Sequence, residues 1–155
     1  MIQLDFLANH PQFIPTLADW YFKEWGYLTK DNSLEKVTAK LQEYLNTDKI
    51  PLILLAIEAG EMVGAVQLKY HEMTIYPEKE HWLGGVYVRP DYRGQRIAEK
   101  MIHSILSIAA KLGVDTLHLQ TQRLDGGLYQ GLGWKPIEQI IYRGIRVLVM
   151  EKKIR

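Results

Sequence analysis

Apolar residues recur along this chain with two different periods, and the two kinds of segment alternate. From about Phe13 to Trp25, Leu17, Tyr21 and Trp25 fall at helical spacing; Asn9 offers an N-cap with Gln12 three residues on, Pro15 suits the first turn, and Gly26 is a stop. A second helix is predicted from Asn32, with Glu35 three residues later and Leu34, Val37, Leu41 and Leu45 as its apolar stripe. The uninterrupted run Pro51 to Glu58 (PLILLAIE) predicts a buried strand, Ala59-Gly60-Glu61 a turn, and Met62 to Tyr70 the returning strand. His71 to Glu80 is polar, contains Pro77 and reads as a loop, and Trp82 to Val88 is the next strand. Ile97 to Leu112 is the longest helix: Ile97, Met101, Ile105, Ile108 and Leu112 share a face flanked by Ala98, Ile102, Leu106 and Ala109, an arc wide enough to be well buried. Gly113 ends it. Val114 to Thr121 is a strand, Leu124 to Leu132 a short helix opened by Asp125 and closed by Gly133, and Trp134 to Tyr142 and Ile145 to Lys152 are the last strands, turning at Arg143-Gly144. With an opening strand at Ile2 to Leu7 the order is β-α-α-β-β-β-α-β-α-β-β. The strand–helix–strand unit over 82–121 implies a parallel pair inside an otherwise antiparallel sheet, hence a mixed α/β (α+β) fold.

Composition narrows the class. At 155 residues the chain suits one domain, residues 1–155. It has no cysteine, which excludes disulfides, thiolate metal sites and a thiol nucleophile and fits a cytoplasmic location. Nineteen Lys and Arg against 18 Asp and Glu leave a formal charge of +1, which argues against general nucleic-acid binding. The opening MIQLDFLANHPQF lacks a basic region followed by a long apolar stretch, and the longest apolar run, Leu52 to Ile57, is too short to span a bilayer, so neither a signal peptide nor membrane insertion is expected. His10, His71 and His103 show no ligand spacing, so no metal is expected; His118, on a strand face with Thr116 and Gln120, reads as surface-facing.

Two features stand out chemically. Gly84-Gly85 weakens a strand interior; such a pair marks a bend required by packing, a bulge, or a place where a ligand or another backbone comes close. Then, in Val86 to Ala98 (VYVRPDYRGQRIA), a strand ends, a basic loop follows and the long helix begins. Free amides at a helix start favour an anion, Arg93 and Arg96 add positive charge, and Gly94 permits close backbone approach. Phosphate binding and an ordinary loop with solvated arginines are the two readings. Neither GxxxxGK[ST] nor GxGxxG is present, so a Walker-type NTPase and a dinucleotide-binding fold are not supported.

VYVRPDYRGQRIA resembles the acyl-CoA signature of the GNAT superfamily of N-acetyltransferases: Arg93 fills the first place and Ala98 the last, while Arg96 stands where the middle glycine usually is. A residue with a side chain can still present its N–H there if φ stays negative. Leu128 to Trp134 (LYQGLGW) is similar to the family's short-helix motif, with Tyr129 in the place of the tyrosine near the thioester sulfur; Gln122 occupies the place where the family often has Asn. The resemblance runs from Ile2 to about Ile154. It implies the GNAT fold, with a central strand splayed from its parallel neighbour and Gly84-Gly85 at or near the bulge that opens the V. It also implies a CoA site built from Val86, Tyr87 and Val88, from Arg93, Gly94, Gln95, Arg96, Ile97 and Ala98, and from Gln122 and Tyr129, with Gln120 bordering the same cleft.

The implied reaction moves an acetyl group from acetyl-CoA to an amine by direct attack. A neutral amine must form, so a base or water chain accepts a proton, and an acid near the sulfur helps the thiolate leave. Tyr129 is the candidate acid. Family members often carry a glutamate on the strand that here reads Trp82-Leu83-Gly84-Gly85, so Glu80 and His81 at the strand entrance are the nearest ionisable candidates, beside a water relay. Trp20, Tyr21, Trp25 and Tyr27 divide between core and acceptor cleft; Glu72, Glu78 and Glu80 either attract a cationic amine or form a solvated acidic loop. The acceptor is expected to be a small-molecule amine or a protein N-terminus, and the protein a monomer or homodimer. The other class of reading is a non-catalytic acyl-CoA-binding or sensor module with the same fold.

Overall fold

The computed structural model describes all 155 residues. Its elements are β1 (Gln3–Phe6), α1 (Ile14–Trp25), α2 (Leu34–Leu41), β2 (Leu52–Glu58), β3 (Glu61–Tyr70), β4 (His81–Val88), α3 (Ile97–Lys111), β5 (Thr116–Thr121), α4 (Gly127–Gly131), β6 (Lys135–Tyr142) and β7 (Ile145–Lys153), with short 3-10 turns between several of them. The seven strands form one sheet in the order β1-β2-β3-β4-β5-β7-β6, and only β4 and β5 run parallel. The expected order of elements and the mixed sheet are what the structure contains.

The unbroken apolar run of β2 has a direct cause, because both of its faces are covered. Leu52, Leu54 and Ala56 join α3 residues Met101, Ile102 and Ile105 in one core. Ile53, Leu55 and Ile57 meet Leu17, Tyr21 and Leu41 of α1 and α2 in a second core on the other face. A third, smaller cluster lies opposite α3 on the other half of the sheet, where the 71–80 loop drops Met73 onto Trp82, Val147 and Val149. Met73 is fully buried, so this loop packs as a cover over the sheet.

Some local expectations change. Asn9 does not cap α1; its amide donates to Asp5, and two 3-10 turns lead into the helix. Ser33, not Asn32, caps α2 by accepting from the Lys36 N–H, while the Asn32 side chain bonds to Ser33 N–H and Gly26 C=O. The short helix begins at Gly127, with Asp125 Oδ1 accepting from its N–H. His118 is buried at 6% exposure: Trp82 lies against its ring and Nε2 sits 3.3 Å from a Glu151 carboxylate oxygen. Its cover comes from β4 and the 71–80 loop, distant in sequence, so alternation within β5 could not show it. Burial, with the charge of Lys79 adding, holds its imidazole below the usual histidine range against the pull of Glu151.

One irregularity organises the middle of the sheet. Along β3–β4, Ala65 pairs Tyr87 but Gln67 pairs Gly84, so Gly85 and Val86 together stand against Val66. Gly85 has φ +55°, and its carbonyl accepts from the Tyr21 hydroxyl at 2.7 Å. The parallel strands β4 and β5 share a single pair, Trp82 with His118, and are parted from Leu83 through the bulge.

A Cβ on Gly85 would lie 2.7 Å from Gln67 Cδ and 2.8 Å from the Tyr21 hydroxyl, and it would also be strained by the positive φ. Gly85→Ala is therefore expected to destabilise the fold by about 2–4 kcal/mol. Gly94→Ala, with φ +82° but open space around it, should cost about 1 kcal/mol. Chemical denaturation of both variants checks the difference; equal losses would mean the bulge is not a packed constraint.

Candidate active site

The parting of β4 from β5 opens a cavity of about 980 Å³. Leu83 to Val86 form one wall and Leu119 to Arg123 the other. The end of α1, the exposed side of α2, Gln67 and Lys69 of β3, the Tyr70–Glu72 segment, Tyr129 of α4 and the Tyr142-Arg143 turn add to the lining. Of the residues assigned to the CoA site from sequence, Val86, Gln122 and Tyr129 come together here with Gln120, and of the N-terminal aromatics Tyr21, Trp25 and Tyr27 but not Trp20 reach the lining. Tyr129 is held by an edge-on contact with Trp134 at 6.1 Å. Burial, reinforced by the negative charge of Glu72, pushes its hydroxyl up to about 12, so it stays a proton donor at neutral pH.

The cavity's carboxylates are Glu72 and Glu24, not Glu80, and Glu72 is the one beside Gly84 of β4. Glu72 Oε1 lies 2.6 Å from Lys69 Nζ, each side chain only 19% exposed. The pair sits over Gly84, where a Cβ would come within 2.7 Å of Lys69 Cε and 3.1 Å of Glu72 Oε1. The missing strand side chain thus makes room for a carboxylate delivered from the end of the neighbouring strand. Burial acts to lower the Lys69 ammonium, and the charge and hydrogen bond of Glu72 offset it, holding it above the usual lysine range. Glu80 and His81 are corrected: they lie outside the lining, 3.5 Å from one another, with the His81 ring against Tyr70. Their position at the outer end of β4, where it still pairs with both neighbours, keeps them from the split.

Gln67 was not anticipated. It is 8% exposed, lines the cavity, and its Oε1 has no partner. A glutamine inside the apolar run of β3 was the available signal, since a buried polar atom needs a partner.

Of the predicted CoA residues, Arg93 to Ala98 lie at the start of α3 and Val86 to Val88 at the end of β4. The first bond across its first turn runs from Lys100 N–H to Arg96 C=O, so the amides of Ile97, Ala98 and Glu99 have no backbone acceptor, and no side chain caps them. Ile97 itself is core; only its N–H faces outward chemistry. Gly94 has open space and Gln95 is exposed. Arg96 has φ +61°, contrary to the expected negative φ: the backbone takes the left-handed conformation that the usual glycine adopts freely, and the arginine bears the strain. Arg93 Nε donates to the Val88 carbonyl at 2.8 Å and its guanidinium lies over the Tyr87 ring, whose other neighbours are Trp20 and Trp25. Val88 C=O is thus already engaged, a correction to its expected role as a free group; the unpaired edge of β4 facing β5 lies within Leu83–Val86. Unpaired amides with two arginines fit a pyrophosphate, and a free strand edge fits an extended arm bearing amides.

The sequence profile of the acetyltransferase (GNAT) family matches residues 14–134. Among solved structures, an aminoglycoside 6'-N-acetyltransferase complexed with coenzyme A superposes with TM-score 0.76 at 17% identity, covering 100% of this chain and 97% of its own. The aminoglycoside 6'-N-acetyltransferase from Enterococcus faecium gives 0.71 at 19% identity, covering 100% and 97%. A Salmonella typhimurium protein solved with its cofactor acetyl-CoA gives 0.73 at 14% identity, covering 100% and 95%. These likenesses establish the fold. No curated protein sequence matches the chain. No helix is long and apolar enough to cross a membrane, and no group of three or more His, Asp or Glu converges as a metal site would require.

Arg96→Gly separates strain from charge. It should raise folding stability by up to about 1 kcal/mol, by relieving the left-handed strain, while weakening CoA roughly tenfold through the lost charge. Calorimetric titration with CoA and with pantetheine, beside a thermal melt, checks both. Tighter CoA binding in the variant would mean that Arg96 has no part in holding phosphate.

Proposed function

The chain belongs to the acetyltransferase (GNAT) family, and on that premise we propose that it transfers the acetyl group of acetyl-CoA to the amine of a small molecule by direct attack. The observation that carries this reading is the split of β4 from β5 beyond Trp82–His118, with Tyr129, Glu72 and Gln67 on the walls of the one cavity it opens. Relatives of the same fold that act on aminoglycosides support a small-molecule acceptor.

Acetyl-CoA supplies a thioester carbonyl, and the chain supplies the rest. The free amides of Ile97, Ala98 and Glu99, with Arg93 and Arg96, hold the pyrophosphate, and the unpaired edge of β4 holds the pantetheine arm and offers an N–H to the oxygen that gains charge. Primary amines are largely protonated at neutral pH. Glu72 draws the ammonium in and takes its proton, directly or through a water. Its partner Lys69 keeps the half-buried carboxylate compensated when the cavity is empty of cations. Nitrogen attack forms the C–N bond. The tetrahedral intermediate, whose nitrogen still carries one proton too many, then collapses with loss of the C–S bond; Tyr129 gives its proton to the departing sulfur and is reprotonated, through water, by the proton the nitrogen sheds as the amide forms. No enzyme nucleophile is needed, in keeping with a chain that has no cysteine.

Tyr129→Phe keeps the ring and its Trp134 contact and removes the donor. Turnover should fall about 10- to 100-fold with CoA affinity and melting temperature near wild type. Because the hydroxyl is held at about 12, kcat/KM should climb with the acceptor's deprotonation and show no falling limb from Tyr129 below about pH 11. Unchanged turnover where chemistry limits the rate removes Tyr129 as the acid.

Glu72→Gln should lower kcat/KM roughly 100-fold, and, by leaving a poorly solvated ammonium unpaired, lower stability by about 1–3 kcal/mol. The double variant Glu72→Gln/Lys69→Met should regain the stability and not the activity. Recovery of both would make the pair purely structural.

A further inference from the structure

Resting on the transferase reading above, we infer that the acceptor is an amine that also carries a carboxylate, and that Arg143 is the residue that reads it. The charge around the cavity points this way. Five cationic side chains line it, Lys36, Lys40, Lys69, Arg123 and Arg143, against two carboxylates, Glu24 and Glu72. Three of the cations are already paired: Lys69 with Glu72, Lys40 with Glu43, Arg123 with Asp125. Lys36 bonds only to the Asp31 carbonyl, and Arg143 only to the Thr29 hydroxyl, so two uncompensated cations face the opening against the single free carboxylate of Glu24. A polycationic acceptor would meet a wall of its own sign. An amine with an adjacent carboxylate finds Glu72 for its ammonium and a guanidinium for its anion.

Arg143 is placed for that task. It occupies the first position of the two-residue turn between β6 and β7, φ +52°, followed by Gly144 at φ +80°. This tight turn projects it from the rim of the sheet over the cavity. Its Nη1 donates to Thr29 Oγ1 at 3.0 Å, across from the loop that follows α1, and its guanidinium lies over the Tyr142 ring. One N–H of the fork is thus used for anchoring, and others are free for the two-oxygen geometry that arginine matches and lysine does not. Tyr27 and Tyr70, 67% and 46% exposed, stand on the same lining and suit an apolar or aromatic part of the acceptor. Free amino acids and short acidic peptides are amines that bear such a carboxylate.

The test is a thiol-release assay with acetyl-CoA. The common L-amino acids are compared with their amides, with Phe-Asp-amide, with spermidine and with an aminoglycoside, each rate taken per unprotonated amine. Wild type is expected to favour an amino acid over its amide by about 10- to 100-fold in kcat/KM, a preference that shrinks with added salt. Phe-Asp-amide matching the free acid would assign the carboxylate to a peptide. In Arg143→Asn, which suits the turn better than arginine, the acid-to-amide ratio should fall toward one while the melting temperature holds or rises. Amides, spermidine or the aminoglycoside turning over as well as the acids, or a ratio that survives Arg143→Asn, overturns the inference and leaves the transferase reading intact. Thiol release with none of the amines brings down that reading and this inference together.

Discussion

The hydrogen bond from the buried Tyr21 hydroxyl to the Gly85 carbonyl is the contact on which the site depends. A strand carbonyl turned out of its ladder must find a donor, and α1 supplies one from the opposite face of the sheet. Burial pushes the Tyr21 hydroxyl well above the usual tyrosine range, so the donor stays protonated under all ordinary conditions. Gly85 is required because its φ is positive and because Gln67 and Tyr21 occupy the space a side chain would take. With two residues of β4 set against one of β3, the strand bends and leaves β5 after one pair. A cavity and an unpaired backbone edge follow from the same bend.

Electrostatics in that cavity depends on what β4 lacks. Gly84 clears the space in which the Glu72–Lys69 pair lies, so a carboxylate reaches the centre from the end of β3. The carboxylate in turn raises the Tyr129 hydroxyl, which burial has already raised further. The groups assigned to take and give protons thus act on each other through the cavity, and the ammonium of Lys69 moderates that field.

Arg96 at the start of α3 and Arg143 on the cavity lining, each given a binding role, have left-handed backbones where glycine or asparagine sits with less strain. At each, the chain accepts about 1 kcal/mol of strain and gains a cation at a place where an anion is to be held. In the roles proposed for them the two serve different ends of the transfer, Arg96 the phosphates of the donor and Arg143 the acceptor. Net charge is close to zero because basic and acidic residues are nearly equal in number, although the cavity lining holds more cations than carboxylates.

Periodicity in the chain determined the element order, the double burial of β2 and the wide buried arc of α3, because each reflects contacts that repeat every two or every three to four residues. Motif spacing located Tyr129 and the start of α3, and the glycine pair located the bulge, because backbone conformation there restricts residue type locally. Tertiary structure alone decided the rest. Whether Glu72 is solvated or half-buried against Lys69, whether His118 faces water or Trp82, and whether Glu80 and His81 reach the split all depend on what the 71–80 loop and β4 cover. Gln67, Glu72 and Arg143 belong to three segments that meet only because β4 parts from β5, and no pattern within any one segment encodes a meeting that the bend of another creates.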